Sequence, residues 1–501
     1  MFFRIHPRAN LGTAIALLVI FGITGCAKNP LAPEDATLAT VDGGRTSVVE
    51  FEACVKEAMD RAVVSGLDCS ILNDGRIVYH QTFGFRDMET GEVLNSESVF
   101  NAASFSKTVF AYLVMVLADE GLIDVDRPLH EYLEKAIPDY EDYADLEGDD
   151  RWRDITARMA LSHTIGFPNW RFLTDDKRLS FLFDPGSRFS YSGEGIHLLQ
   201  LVVEEITHKD LETLAQEKVF GPLGMENTSY VWRPSYEGRY ALPHNEFGWT
   251  GNPNRRGKPA AAGSMTTTAV DYGRLLEAVI ATERSPNQNR QQMLSPAIRI
   301  RSERMLGPGA WRDAASGDGV ELSWGLGWGL FDSPRGRAFF HTGHDVGAQN
   351  YTVTFLDQGI GIVLLSNSAN FESIAAEIVE AGIGDVYSPF EWLGYTPFDP
   401  VTKKTPPARP KRIVVSAETI TPYTGKYRIT VGEVFWIRAD GERLLYSGEN
   451  EYWDEIFAES KTRFRFRGQD IALTFVPESD GRVNRIDIEY QGMPLTAERV
   501  E

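Results

Sequence analysis

Residues 109–118, Val-Phe-Ala-Tyr-Leu-Val-Met-Val-Leu-Ala, read as the apolar body of a helix that will be mostly buried. Just upstream lies a residue that does not suit such a helix. Lys107 follows Ser104 by three positions, in Ser104-Phe-Ser-Lys107. An uncompensated ammonium near a core costs several kcal/mol, so a fold that buries this helix must give the lysine a use. Helical residues at i and i+3 share a face, which points Ser104 and Lys107 to the same place. A serine hydroxyl is a weak nucleophile that needs a base or a cation to help remove its proton. A desolvated lysine loses proton affinity, and its amine can then hydrogen-bond or accept that proton. The alternative is a snorkelling lysine beside a helix-capping serine. Ser-x-x-Lys by itself does not decide, because a chain of this length is expected to hold about one chance match.

The chain has 501 residues, 43% of them hydrophobic, which suits two or three folding units. Arg4 and Arg8 precede an almost wholly apolar run from Leu11 to Ile20. That run is shorter than the about 20 residues of a membrane span, so residues 1–25 read as an export signal. Ile23-Thr24-Gly25-Cys26 resembles a bacterial lipobox, which implies cleavage after Gly25 and lipidation of Cys26. The protein is then expected in the bacterial cell envelope, lipid-anchored to the membrane on the periplasmic side or at the outer membrane. An ordinary secretory signal cut nearby is the alternative. Residues 26–47, small, polar and proline-containing, read as a tether. Two further cysteines remain, and an oxidising compartment permits a Cys54–Cys69 bridge, although sequence cannot supply the geometry. The formal charge is −21, and loss of a leader with two arginines and no acid makes it more negative still. Such acidity argues against nucleic acid as a partner, since phosphate binding needs basic surface.

The first folding unit is expected over 48–397. It opens with a helix-spaced run from Val48, then two strand-like runs joined at Asn73-Asp74-Gly75, a hairpin signal. Helical stretches follow at 195–219 and 267–282, and strand composition returns in Ser-Trp-Gly-Leu-Gly-Trp-Gly-Leu-Phe and in residues 351–367. Strands at both ends with helices between them predict an α+β fold: an antiparallel sheet completed by both ends of the unit and flanked by helices. Residues 398–415, rich in proline and basic residues, read as a linker. Short alternating runs with Asp-Gly turns at 440–441 and 480–481 make residues 416–501 a small β-sheet or β-barrel domain.

Ser-x-x-Lys belongs to penicillin-binding proteins and β-lactamases, which add two further elements. The order here fits: Ser104 to Lys107, then Arg-Phe-Ser-Tyr191-Ser-Gly-Glu-Gly, then Phe-Phe-His341-Thr342-Gly343-His344. The runs at 155–170, 183–207, 219–232 and 261–276 also resemble segments of the β-lactamase-related serine hydrolases. That family includes class C β-lactamases, D-Ala-D-Ala carboxypeptidases, D-amino-acid peptidases and carboxylesterases, and the resemblance spans 50 to about 395. It implies that Ser104 attacks and is acylated, that Lys107 assists its deprotonation, and that Tyr191 shares proton transfer with Lys107 as one coupled unit. It implies that His341, Thr342 and Gly343 form the substrate-side strand. The oxyanion hole would be the backbone N–H groups of Ser104 and His344. No metal or organic cofactor is expected. The partner is a small-molecule ester or peptide substrate.

Two positions depart from the β-lactamase pattern. The third residue of the Tyr motif is Gly193, where class C enzymes have an asparagine that contacts the substrate amide and the lysine. The third motif begins with His341 instead of lysine, and histidine carries full charge only below about pH 6.5. Both changes point away from efficient β-lactam hydrolysis and toward an ester or a peptide with D-residues. A true β-lactamase and a non-catalytic peptidoglycan-binding or sensor lipoprotein on the same fold are the rivals. Zinc at His341, His344 and Asp345 is disfavoured, because residues 341 and 344 of a strand point to opposite faces. His163 is expected to hydrogen-bond locally. The chain has no Gly-x-Ser-x-Gly elbow, and Pro259 stands where a phosphate loop needs serine or threonine.

Overall fold

The structure, a computed structural model, describes residues 36–283, 288–314, 320–401, 412–430, 434–448, 451–468, 470–490 and 492–500. The expected leader and its Cys26 lie outside the described residues. No helix among the described residues is long and apolar enough to cross a membrane.

The expected tether is shorter than 26–47. Thr37–Ala39 and Arg45–Ser47 pair as a two-stranded ribbon. Leu38 and Val41 are buried, and the Val41 N–H donates to Ile383 O at 2.8 Å. Two apolar side chains with a core to enter outweigh the polar composition around them.

Helix α1 (Val48–Ala62) starts at Ser47, whose hydroxyl accepts from the Glu50 N–H at 3.1 Å and donates to the Glu50 carboxylate at 2.8 Å. Phe51, Val55, Ala58, Met59 and Ala62 form its buried stripe. Strands β1 (Gly66–Asn73) and β2 (Arg76–Asp87) form the expected hairpin. Asp74 and Gly75 both take positive φ at its turn, 51° and 70°. Seven further strands complete the sheet: β3 (Glu92–Val93), β4 (Ile298–Arg299), β5 (Glu321–Trp324), β6 (Gly329–Ser333), β7 (Gly336–Asp345), β8 (Ala348–Phe355) and β9 (Ile360–Ser366). Their spatial order is β3-β2-β1-β9-β8-β7-β6-β5-β4, with antiparallel pairing throughout. The first strands of the unit thus pair with its last, as the sequence led us to expect.

Period-2 alternation gives the sheet two apolar faces. Ile362 and Leu364 of β9 join Tyr351, Val353 and Phe355 of β8 under α1 and helix α5 (Ala375–Ile383). Val363 and Leu365 face the other way, into the helical region. Helix α2 (Phe105–Asp119) lies in that second core with twelve of its fifteen residues buried, so it is enclosed on nearly every side. Around it stand α3 (Gly193–Thr207) and α4 (Ala269–Thr282).

Cys54 and Cys69 are both free, against the permitted bridge. Cys69 is fully buried on the α1 face of β1. Cys54 sits one residue off the buried stripe of α1, with its sulfur 4.0 Å from the Glu377 carboxylate of α5.

The C-terminal unit is a closed eight-stranded barrel running from Gly425–Ile429 to Met493–Arg499. It starts before 416: Ile413 N–H donates to Ala458 O at 3.1 Å, and Val415 is buried in the barrel core. Residues 402–411 of the expected linker lie outside the described residues. The barrel docks on residues 232–256 of the hydrolase unit. Arg255 donates to Asp454 at 3.0 Å and to Glu237 at 3.2 Å, and its guanidinium lies 5.0 Å from the centre of the Trp232 ring. Tyr452 packs edge-on against the same tryptophan, at 6.3 Å between ring centres.

Candidate active site

Ser104 stands at the N-terminus of α2 but does not cap it with its side chain. Ala103 before it takes φ of 46°, a left-handed turn held by a 3.0 Å bond from its N–H to the Asn101 side-chain oxygen. The N–H groups of Phe105, Ser106 and Lys107 are spent on the carbonyls of Ala102, Ala103 and Ser104. The Ser104 N–H makes no backbone bond of this kind and stays available.

The Lys107 amine donates to the Ser104 hydroxyl at 3.0 Å and to the Ala262 carbonyl at 2.6 Å. Lys107 is only 1% exposed, and burial alone pulls its pKa down to about 7. The pairing expected from the spacing is present, and the lysine does not snorkel.

Tyr191 is buried beside this pair, with the amine 5.0 Å from the centre of its ring. Its hydroxyl is buried near the Ser104 hydroxyl, with no other hydrogen-bond partner among the described residues. Burial pushes the phenol pKa up, and the nearby Ser104 hydroxyl pulls it in the other direction. The ring is held by His163, Trp324 and His341 at 4.3, 5.9 and 6.2 Å between centres. His163 takes the expected local role: it accepts from the Ser192 N–H at 3.2 Å, which ties the Tyr191-Ser192 turn to the preceding loop.

On β7, alternation divides the third motif between two faces. His341 points toward α2, its ring 6.3 Å from that of Phe105. Its Nδ1 lies 2.7 Å from the Thr342 carbonyl, which can only accept, so Nδ1 carries the proton. Nε2 is left as a buried lone pair without a partner. Burial and the neighbouring Lys107 hold the ring's pKa down at about 3. His341 is a neutral acceptor here, not a cation.

Thr342 and His344 face the other side of the sheet. The Thr342 hydroxyl donates to Asn350 O at 3.2 Å and lies 2.6 Å from the Tyr395 hydroxyl. The Thr342 hydroxyl is thus committed to the far face, and only the backbone of this residue lies on the open edge. The His344 ring lies 2.8 Å from Glu372 on that face, so His341 and His344 do diverge. Gly343 is needed for a close approach of two backbones. A Cβ there would stand 2.7 Å from the Ala102 carbonyl, so the glycine seats β7 against the turn that presents Ser104. Strand β6 pairs with β7 only as far as Phe340, which leaves residues 341–345 unpaired on that edge beside Ser104. The His344 N–H belongs to this free stretch.

Sequence reasoning missed two features of the site. Asp345 accepts from Asn101 at 2.8 Å and from Asn254 at 3.1 Å, joining the turn before Ser104, β7 and the loop under the barrel. Trp170 lies across Gly193 with its ring centre 5.9 Å from the Lys107 amine. A tryptophan in a loop segment carries no spacing signal. Only the glycine opposite it hints that something large fills that space.

The site thus sets a serine and a buried lysine at the start of a helix against the free edge of an antiparallel sheet. The Beta-lactamase family model matches residues 51–381. The chain belongs to the Beta-lactamase family. It is 23% identical over 460 residues to a penicillin-binding protein of Bacillus subtilis (strain 168), covering 81% of this chain and 91% of that protein. It is 24% identical over 238 residues to Esterase EstB of Burkholderia gladioli, covering 42% of this chain and 58% of the esterase. The octameric penicillin-binding protein homologue from Pyrococcus abyssi shares the fold, with a TM-score of 0.52 at 18% identity over 90% of this chain and 100% of that one.

Proposed function

We propose that the protein hydrolyses an uncharged ester through an acyl-enzyme on Ser104. The observation that carries this reading is the buried Lys107 amine, 3.0 Å from the Ser104 oxygen with its pKa lowered to about 7. At neutral pH a large share of such an amine is unprotonated and takes the serine proton as the Oγ–carbonyl bond forms. The Tyr191 phenol, pushed up by burial, stays protonated and passes a proton to the leaving alcohol, recovering one from Lys107. The oxyanion is met by the N–H groups of Ser104 and His344, donors worth about 2.7–4 kcal/mol each. Water then cleaves the acyl-enzyme by the reverse proton path.

The choice of an ester rests on His341. A neutral imidazole with a free lone pair offers no cation to a substrate carboxylate. A peptide with a D-residue is the second substrate class, supported by the similarity to a D-aminopeptidase of Gluconobacter oxydans (strain 621H). The test is a panel of p-nitrophenyl acetate, D-Ala-D-Ala peptides and nitrocefin, run beside Ser104→Ala. Ester turnover that disappears in the variant supports the reading. Fast nitrocefin turnover would make the protein a β-lactamase, and no turnover with no fluorophosphonate labelling of Ser104 would favour a binding lipoprotein.

A lipid anchor at Cys26 belongs to the same reading and is supported by the Ile23-Thr24-Gly25-Cys26 sequence. Cys26→Ser should move the protein from the membrane fraction to the soluble one; an unchanged distribution would remove the anchor from the proposal.

A further inference from the structure

The loop residues Pro168, Asn169 and Arg171 are fastened to the N-terminus of α3 on both sides of Trp170. The Ser192 hydroxyl donates to Pro168 O at 2.8 Å. The Gly193 N–H donates to the Asn169 carbonyl at 3.0 Å and approaches its side-chain oxygen at 3.1 Å, and the Glu194 N–H reaches the same carbonyl at 3.2 Å. Arg171 makes a two-pronged pair with Glu194, at 3.0 and 2.8 Å. These bonds hold the indole flat over Gly193. A Cβ at 193 would lie 2.3, 2.6 and 2.7 Å from three carbons of its six-membered ring, a separation no side chain can accept. On its other sides the indole meets Phe172, nearly parallel at 9° and 6.2 Å, and His197 at 5.5 Å. Trp170 is only partly buried, and its ring centre lies 5.9 Å from the Lys107 amine.

We propose that Trp170 determines which acyl group this site accepts, its indole forming the wall against which an uncharged aryl or branched alkyl chain packs. The inference rests on the reading of Ser104 as nucleophile. The amine that touches Ser104 also lies 5.9 Å from the centre of the indole, so an acyl chain directed to this side of the serine runs along carbon. Gly193 contributes no side chain, and the clash at its Cβ keeps any polar one out while the indole is in place. Such a wall rewards apolar area removed from water and offers nothing to a polar substituent. The loop anchors supply the rigidity that lets one aromatic ring discriminate between acyl groups.

Two small reagents that sulfonylate a nucleophilic serine test this, since the Ser104 oxygen displaces fluoride from sulfur in each and no turnover is needed. Methanesulfonyl fluoride presents a methyl group and phenylmethanesulfonyl fluoride a benzyl group. Labelling rates at Ser104 are followed by mass spectrometry for wild type, Trp170→Phe, Trp170→Ala and Ser104→Ala, with thermal melts for each. Wild type should prefer the benzyl reagent; Trp170→Ala should lose about tenfold or more of that preference, and Trp170→Phe should keep it within about threefold. Equal slowing of both reagents in Trp170→Ala would make the tryptophan a mere support and overturn the inference, as would an unchanged ratio. If Trp170→Ala does not fold, Trp170→Leu takes its place with the same outcomes. Labelling of wild type with an unchanged ratio sinks this inference alone, whereas a wild-type Ser104 that takes neither reagent sinks the nucleophile reading and this inference with it.

Discussion

The amine of Lys107 makes its shortest hydrogen bond, 2.6 Å, to the backbone carbonyl of Ala262, 155 positions further along the chain. That carbonyl fixes the lysine from outside its own helix and leaves the amine's remaining directions for Ser104. A neutral partner does this without raising the amine's proton affinity, as a carboxylate in the same place would.

The arrangement is costly to the fold. Lowering a lysine pKa from 10.5 to about 7 corresponds to about 4–5 kcal/mol against the charged form. In the unfolded chain the lysine stays protonated up to about pH 10.4. Between pH 7 and 10 the unfolded state therefore binds more protons than the native one, and stability rises with pH across that window. Lys107→Met removes the penalty but leaves the Ala262 carbonyl unbonded, which returns about 1–3 kcal/mol. The variant should be inactive yet more stable by about 2 kcal/mol at pH 6, with the gain shrinking toward pH 10, as read from denaturant melts at both pH values. A less stable variant at pH 6 would mean that the amine is not buried as a charge.

Ester turnover should follow the same group. The rate constant kcat/KM is expected to rise through an apparent pKa of about 7 as Lys107 loses its proton. His341, held down at about 3, contributes no limb in the range where the protein is folded. A profile flat from pH 5 to 9 would separate the lysine from proton transfer.

The Trp170–Gly193 contact predicts a rescue. Gly193→Ala alone should destabilise by about 1–3 kcal/mol through overpacking against the indole. In a Trp170→Ala background the same substitution should cost only a few tenths. Thermal melts of the two singles and the double form the cycle. Additive losses would show that the ring and the glycine do not touch in solution.

At the barrel interface, Arg255 and Asp454 should respond unequally. Burial raises Asp454 to a pKa of about 6 despite the adjacent guanidinium. Arg255→Ala strands that carboxylate and should cost about 1–3 kcal/mol of barrel docking at pH 7.5, a value reduced because both side chains are about one-fifth exposed. Asp454→Asn should be close to neutral, since it removes the buried charge along with the pair. Limited proteolysis between the two units reads the difference. Equal sensitivity of both variants would argue that the pair contributes little.

Much of the site was legible because spacing within one element survives folding. Ser104 and Lys107 meet as helical i, i+3 neighbours, and the divergence of His341 and His344 follows from strand alternation. The hairpin at Asp74-Gly75 was readable because only such residues accept two positive φ values in succession. What was hidden depends on contacts between distant segments. The tethering of Thr37–Ser47 to α5, the turning of Thr342 toward Tyr395, and the separation of Cys54 from Cys69 by one position on α1 each need a partner that no local pattern names. Gly343 likewise needs a distant partner to explain it, since the atom it admits is Ala102 O.

Because β1 pairs with β9, the sheet that backs α2 is stitched from segments about 290 residues apart in the chain, as in the pairing of Leu72 with Gly361. A nascent chain therefore emerges with α2 made early; α3 and α4 can pack on it, but Val363 and Leu365 of β9 complete its core only when residues 360–366 arrive. Until then part of its apolar surface stays bare, a state that invites holding factors and delays collapse. Premature termination anywhere before β9 should leave no hydrolytic fragment at all, so the enzyme switches on only when its first unit is complete.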